Sequence, residues 1–373
     1  MTEASFFKLI TQQFDDALPF VAYRKPESKY LHSFYQEEDT VHHIKDFTES
    51  GFAFAPFDNA QKASLIPDTH HIQCEYGTAS ISQNASDIVL PEEEVFQRNA
   101  HIELVQKAIA KIQEGVLKKV VLSRKRTFQN SLSNPIAVFK KLLQTYPTAF
   151  VYVFYHPKIG LWLGATPETL LEVKNRTVYT MSLAGTLKYA PDAAVSWGSK
   201  EKEEQQLVTD TIASRLKPLT KDLVVGKTEN HLAGNLLHLK TVISASLDES
   251  NVSLQDVITA LHPTPAVCGL PVEEAKTFII EYENYDRSYY TGFLGELNLK
   301  SETNRSKTRR NVENLAYRSV KKNTHLFVNL RCMESTSTGT QVYVGGGITA
   351  ASIPEAEWEE TQYKLQTMGK VLF

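Results

Sequence analysis

The chain is poor in cysteine: three in 373 residues, at Cys74, Cys268 and Cys332, far apart and with no CxxC pair. That spacing excludes a disulfide framework and a zinc site and predicts reduced thiols in a cytoplasmic protein. It also lacks an excess of either charge. With 40 Lys and Arg against 43 Asp and Glu, the net charge of −3 argues against nucleic acid or an anionic membrane as the main partner. No apolar run approaches the length of a membrane span, and Met1 to Leu18 lacks the layout of a signal peptide. Neither GxxxxGK(S/T) nor a strand–GxGxxG–helix arrangement occurs, which leaves little support for nucleotide binding. With no internal repeat, low-complexity tract or Pro/Ser linker, residues 1–373 are expected to form one compact unit.

What is present reads as hairpins alternating with helices. Periodicity predicts helices over Ile102–Val116 and Ile136–Tyr146. The next four strands, Ala149–Tyr155, Leu161–Ala165, Leu170–Val173 and Val178–Leu183, are divided by turn residues. Their close spacing demands antiparallel pairing, since a parallel crossover needs a dozen residues or more. Helices follow over Lys200–Leu216, Leu254–Leu261 and Glu273–Tyr282, then strands over Tyr289–Leu299, Leu326–Cys332 and Gln341–Val344. A helix over Pro354–Leu372 closes the chain, with Pro354 suited to its first turn. The fold class expected is α+β, antiparallel sheets flanked by helices, with two subdomains around a central cleft. Before about residue 95 the pattern is hard to read, although Gly51–Phe57 suggests a strand. The segment from Lys300 to Asn323 carries eight basic residues against two acidic ones. It lies between two strands and reads as an elongated hairpin excursion, either a solvated loop or a lid for an anion.

Several residues could carry chemistry. Gly345, Gly346 and Gly347 follow an apolar run, and a loop of such residues lets backbone amides approach a ligand. On the helix that follows, Glu357, Glu360 and Lys364 share one face, so the stretch could hold an anion, a hard cation or both, or could be a solvated helix with Glu–Lys pairs. Glu201 and Glu204 repeat the i, i+3 arrangement, and two helices each presenting two carboxylates could bind Mg²⁺, unless these acids only complement a helix dipole. Lys119 stands at the mouth of a buried-looking strand; pointing inward it could serve as a general base, pointing outward it is a lysine in water. Glu168, after a Thr-Pro turn, could be a general acid or simply begin a turn. Arg331 is a charge in an otherwise apolar strand and needs an anionic partner. His262 opens a rigid Pro-Thr-Pro turn. Together these suggest an enzyme acting on a small polyanion with Mg²⁺ and a Lys/Glu acid–base pair. A phosphate-binding protein using Gly345–Gly347 is the alternative of another class.

Eight stretches, in order, carry a resemblance: KVVLSR (119–124), GATPETLL (164–171), SLAGT (182–186), KEKEEQQLV (200–208), HPTPAVCGLP (262–271), DRSYYTGFLGEL (286–297), VNLRCM (328–333) and GGGITAASIPEAEWEETQYK (345–364). The chain resembles the chorismate-utilising enzymes, the family of isochorismate, salicylate, anthranilate and aminodeoxychorismate synthases. The resemblance covers residues 96–373 and is loose over 1–95. It implies an α+β fold with the active site in a cleft between two halves. Lys119 falls where isochorismate and salicylate synthases carry their base and where the aminating members have glutamine. Glu168 matches the general acid, and Glu204 and Glu360 match the Mg²⁺ ligands, with Glu201 and Glu357 as supporting carboxylates. Arg331, Lys364 and the amides of Gly345 and Gly346 match groups that hold the carboxylates of chorismate, and Gly185, Thr186 and His262 match pocket positions. The activity implied is Mg²⁺-dependent conversion of chorismate to isochorismate, for menaquinone or siderophore synthesis, with no glutamine amidotransferase partner. Salicylate synthase is the alternative within the family, and an anthranilate or aminodeoxychorismate synthase component is a more distant one. Gln205 departs from the histidine that many relatives carry after the metal-site glutamate.

Overall fold

Antiparallel hairpins assemble into two sheets, each of nine strands among the described residues. The computed structural model describes residues 1–77, 90–91, 93, 95–129, 132, 134–189, 195–233, 236–247, 251–302 and 320–373. In the first sheet the spatial order is Gly269–Leu270, Lys119–Phe128, Gly339–Ile348, Cys332–Thr336, Gly160–Thr166, Phe150–His156, Phe20–Arg24, Tyr30–Tyr35, His71–Glu75. In the second it is Thr220–Ala233, Leu236–Leu247, Thr177–Lys188, Thr169–Lys174, Val320–Val328, Phe293–Glu302, Gly51–Ala55, Ser64–Pro67, His42–His43. Residues before 77 therefore extend both sheets at one edge.

The sheets meet over an aromatic core: Tyr23, Phe150, Tyr152 and Trp162 from the first face Phe52, Phe54 and Phe327 from the second. Phe150 and Phe327 stack across the interface with ring centroids 4.2 Å apart. Such a pair adds about 0.5–1.5 kcal/mol beyond its area burial. Helices cover the outer faces. Glu3–Asp15, Pro135–Thr145 and Pro354–Leu372 bury Phe6, Phe139 and Leu365 with Val151, Leu163 and Val342 of the first sheet. Ser199–Leu216 and Leu254–Leu261 bury Val208, Ile212 and Ile258 with Leu171, Ile243 and Leu326 of the second. Val95–Gln113 and Val272–Tyr282 pack Val105, Ala108, Ala275 and Phe278 against Val120 and Leu122. The expected α+β class and its antiparallel pairing are thus observed.

Local chemistry accounts for the element boundaries. Leu254–Leu261 starts at a capping box formed by Ser253 and Asp256. Pro354 opens the last helix, whose bounds match the expectation. Three departures matter for the site. Gly345–Gly347 form a strand, not an amide-lined loop, paired as Gly345↔Ser123, Gly346↔Leu122 and Gly347↔Val121. The run expected as one strand over Leu326–Cys332 breaks at Asn329–Arg331, between Val320–Val328 and Cys332–Thr336. Thr220–Ala233 and Leu236–Leu247 form a long hairpin in a stretch where the sequence suggested no strands. Of the basic segment, residues 303–319 lie outside the described residues; the strands on either side pair from Phe293↔Val328 to Glu302↔Val320, as a hairpin requires.

Candidate active site

Lys119 begins the strand next to one edge of the first sheet, flanked by Gly269–Leu270 and by the triglycine strand. That strand is fixed from behind. Arg287 donates to the carbonyls of Val121 (2.7 Å) and Val267 (2.9 Å), and Ser123 N donates to Glu283 (2.7 Å), the buried ion-pair partner of Arg287. Pairing of Gly339–Ile348 with Cys332–Thr336 ends at Met333↔Val342. Beyond it, Tyr343 to Gly347 line a cavity of about 110 Å³.

Three glycines at this place admit what a side chain would exclude. A Cβ on Gly347 would stand 2.6 Å from Glu204 Oε1 and 3.0 Å from Lys119 Cε. A Cβ on Gly346 would stand 3.4 Å from Glu357 Oε2 and 3.5 Å from Glu360 Oε1. Carboxylates from the Ser199–Leu216 and Pro354–Leu372 helices therefore converge on bare backbone, on the helix face that the i, i+3, i+7 spacing anticipates. Each has a lysine: Lys119–Glu204 at 2.7 Å, Lys200–Glu357 at 2.9 Å and Lys364–Glu360 at 2.6 Å. Lys364 also donates to the Gly345 carbonyl at 2.7 Å. Glu201 lines the same cavity.

Burial sets the charge states around it. Desolvation pushes the Glu168 carboxyl up to about 8, against the pull of Lys119 and Arg331. It is therefore protonated at neutral pH, as a proton donor must be. Burial and the charge of Glu360 raise the Glu357 carboxyl despite Lys200. Burial acts the same way on Glu360, but Lys364, Lys200 and Arg331 outweigh it and hold that carboxylate below its ordinary range. Burial lowers Lys200, yet Glu357, Glu360 and Glu204 together leave it raised.

The opposite wall comes from the second sheet. Leu183, Ala184, Gly185 and Thr186 line it, with Gly185 at φ 71°, and His238 reaches the cavity from the unanticipated hairpin. His238 Nδ1 lies 2.7 Å from the Gly185 carbonyl and Nε2 has no hydrogen-bond partner among the described residues. Burial, then Arg331, lowers the ring to about 3, so it is neutral, with Nδ1–H donating. Arg331 projects from the strand break, at φ 47°, and donates to Thr367 Oγ1 at 3.1 Å. Asn329 holds that break in place, accepting from Tyr152 Oη (2.6 Å) and donating to the Tyr289 carbonyl (2.9 Å).

The cavity thus gathers Glu168, Gly185, Thr186, Glu201, Glu204, Arg331, Gly345, Gly346, Glu360 and Lys364 in its lining. Lys119 and Glu357 lie just beneath it, behind Gly347 and Gly346. His262 does not belong to it. Its ring is buried, Nε2 lies 3.1 Å from the Pro56 carbonyl, and burial lowers it to about 4; it packs the turn whose Ala266 and Val267 do reach the cavity. Sequence reasoning passed over Lys200, Tyr290, Tyr343 and His238. A lysine in a highly charged first turn looks solvated, and a histidine between Leu237 and Leu239 looks like core.

Residues 55–304 and 314–370 match the family described as chorismate binding enzyme. The chain belongs to that family. Among its relatives is the isochorismate synthase DhbC of Bacillus subtilis, 27% identical over 335 residues, which are 85% of this chain and 73% of the relative. MenF, the menaquinone-specific isochorismate synthase of Escherichia coli, shares the fold with a TM-score of 0.71 at 21% identity, over 95% of this chain and 89% of the other. Anthranilate synthase component I of Streptococcus pneumoniae shares it too, with a TM-score of 0.67 at 19% identity, over 94% and 92% of the two chains. Among the chorismate-binding enzymes, the backbone is therefore common to members named for different products. No described helix is long and apolar enough to cross a membrane.

Whether these residues suit Mg²⁺ can be judged from the donor set. Among the described residues no three His, Cys, Asp or Glu side chains close on one point as a metal cage does. The donors are nevertheless all carboxylate oxygens on the wall of a cavity, the hard set that Mg²⁺ prefers while retaining waters. Glu357 spends Oε1 on Lys200 and turns Oε2 toward Gly346, beside Glu360 Oε1. Two like charges so close gain from a cation between them. The residues fit the ion.

Proposed function

We propose that this chorismate-binding enzyme is an isochorismate synthase that uses Mg²⁺. What carries the reading is a carboxyl kept protonated at neutral pH in the lining of a cavity that also presents Arg331 and Lys364, with a buried lysine just beneath its floor. Chorismate is a dicarboxylate, and these two cations give it counter-charges inside a protein of net negative charge. Lys119, as general base, takes a proton from water as the oxygen bonds to C2. The ring double bonds shift and the C4–O bond breaks. Glu168 gives its proton to the departing oxygen, which leaves as water, so one water enters and one departs. Glu204 and Glu360 would hold Mg²⁺, with Glu201 and Glu357 supporting it. Bound there, the ion would supply positive charge to the ring carboxylate and make the diene more electrophilic. The relatives named as isochorismate synthases support the choice, as does lysine at position 119.

Incubated with chorismate and Mg²⁺, the protein is expected to release isochorismate, resolved by chromatography. Salicylate with equimolar pyruvate as the main products would move the assignment to salicylate synthase.

The charge state of Glu168 gives a pH signature. Its carboxyl is raised to about 8, so the donor form is present below that pH and lost above it. The profile of kcat/KM is expected to fall through about pH 8, and a flat profile to pH 9 would contradict the assignment. Stability follows the same sign. The unfolded carboxyl ionises near its ordinary value, so folding loses stability as pH rises between about 4.5 and 8. Glu168→Gln removes that loss and is expected to gain in Tm over the wild type at pH 8 relative to pH 4.

A further inference from the structure

Lys200 is the cation that the site already contains. It stands in the first turn of the Ser199–Leu216 helix, lines the cavity, and places Nζ 2.9 Å from Glu357 Oε1. The other two lysines differ from it in setting. Lys119 is 1% exposed beneath the strand, and Lys364 is also tied to the Gly345 carbonyl. Lys200 is 32% exposed and donates to the carboxylate of Glu357. That carboxylate is 4% exposed and turns its second oxygen to Gly346, where Glu360 also points. An ammonium a third exposed can leave along the cavity wall. The buried Glu357 carboxylate is then left with the hydrogen bond of Ser352 beside the like charge of Glu360, a setting that a cation would relieve.

We propose that Lys200 is a removable internal counter-ion, which holds Glu357 in place in the metal-free protein and competes with the divalent cation for it. The inference rests on the metal reading given above. Two positive charges a few ångströms apart at a partly buried site repel strongly, so a cation must bear that repulsion or displace the ammonium. Lys200 is thus a positioning residue for the metal-free protein and a determinant of cation affinity. It also makes an unloaded site tolerable in a buried place.

The test is Mn²⁺ binding to the substrate-free full-length protein, followed by the paramagnetic resonance signal of free Mn²⁺. Lys200→Met is expected to bind Mn²⁺ at least about fivefold more tightly than wild type. Metal-free Lys200→Met is expected to melt below wild type, with Mn²⁺ raising its Tm by more than it raises that of wild type. Lys202→Met, which removes an exposed charge two residues along the same helix, is expected to leave both quantities unchanged. A merely structural lysine would lower affinity along with stability when removed. Equal or weaker binding by Lys200→Met, while wild type binds Mn²⁺, overturns the role of Lys200 and leaves the metal site standing. Absence of Mn²⁺ binding in both proteins at millimolar metal overturns the metal site and this inference with it.

Discussion

Lys119→Ala is expected to lower kcat by about 10³-fold, within the range that a well-placed general base supplies. Three observations set the size of the effect. The lysine is buried at the start of the Lys119–Phe128 strand, its Nζ lies 2.7 Å from Glu204 Oε1, and its side chain fills the space that glycine at 347 leaves open. The other cations near the triglycine strand are engaged elsewhere, Lys364 with Glu360 and the Gly345 carbonyl and Lys200 with Glu357, and His238 belongs to the opposite wall. Chorismate affinity, measured by calorimetry, is expected to change only a few-fold, because Arg331 and Lys364 remain. The variant frees Glu204, so its folding is checked by circular dichroism, and Lys119→Gln preserves length and a hydrogen bond to that carboxylate. Turnover within tenfold of wild type in both variants would remove Lys119 from the role of base.

The second large effect is expected at Glu360. Glu360→Ala should lower activity by about 10²–10³-fold, as removal of a preorganised charge does in such sites. The residual activity should no longer respond to Mg²⁺. Lys364 bridges Glu360 and the Gly345 carbonyl, so Glu360→Gln serves as the companion that keeps a hydrogen-bonding group beside it. Titration of activity against Mg²⁺, together with Mn²⁺ binding, separates the outcomes. A wild-type response to Mg²⁺ in both variants would place the ion elsewhere.

Much of this was legible from residue order. Pro354 and the spacing of Glu357, Glu360 and Lys364 announce a helix with one chemical face, and the helix is there. The motifs at 164–171 and 200–208 bring an acid and a carboxylate pair to one cavity, and the motif at 119–124 places a lysine just beneath it. What was illegible has physical causes. Glycine has little strand propensity, so 345–347 resembled a loop; pairing with Lys119–Phe128 overrides that preference. In Thr220–Ala233, Lys221, Asp222, Lys227 and Glu229 mask any alternation, because this is an edge strand with much of its surface in water. The apolar neighbours of Arg331 read as one continuous strand. The break is held where Asn329 accepts from Tyr152, 177 positions away in sequence. Lys200 needed Glu357, 157 positions away, to become visible.

The glycine strand has a consequence for how such a site can diversify. At Gly346 and Gly347 the floor of the cavity is main chain alone, with ionised groups closing in from beneath and beside it. A floor without side chains offers mutation nothing to trim, and at Gly347 even a Cβ would stand 2.6 Å from Glu204 Oε1. Variation in what the cavity accepts then falls more readily to the facing wall, where Leu183, Ala184, Thr186 and His238 present side chains. One face of the pocket is constrained by its geometry and the other is open to change, which is how a single scaffold can be retuned while its charge arrangement stays fixed.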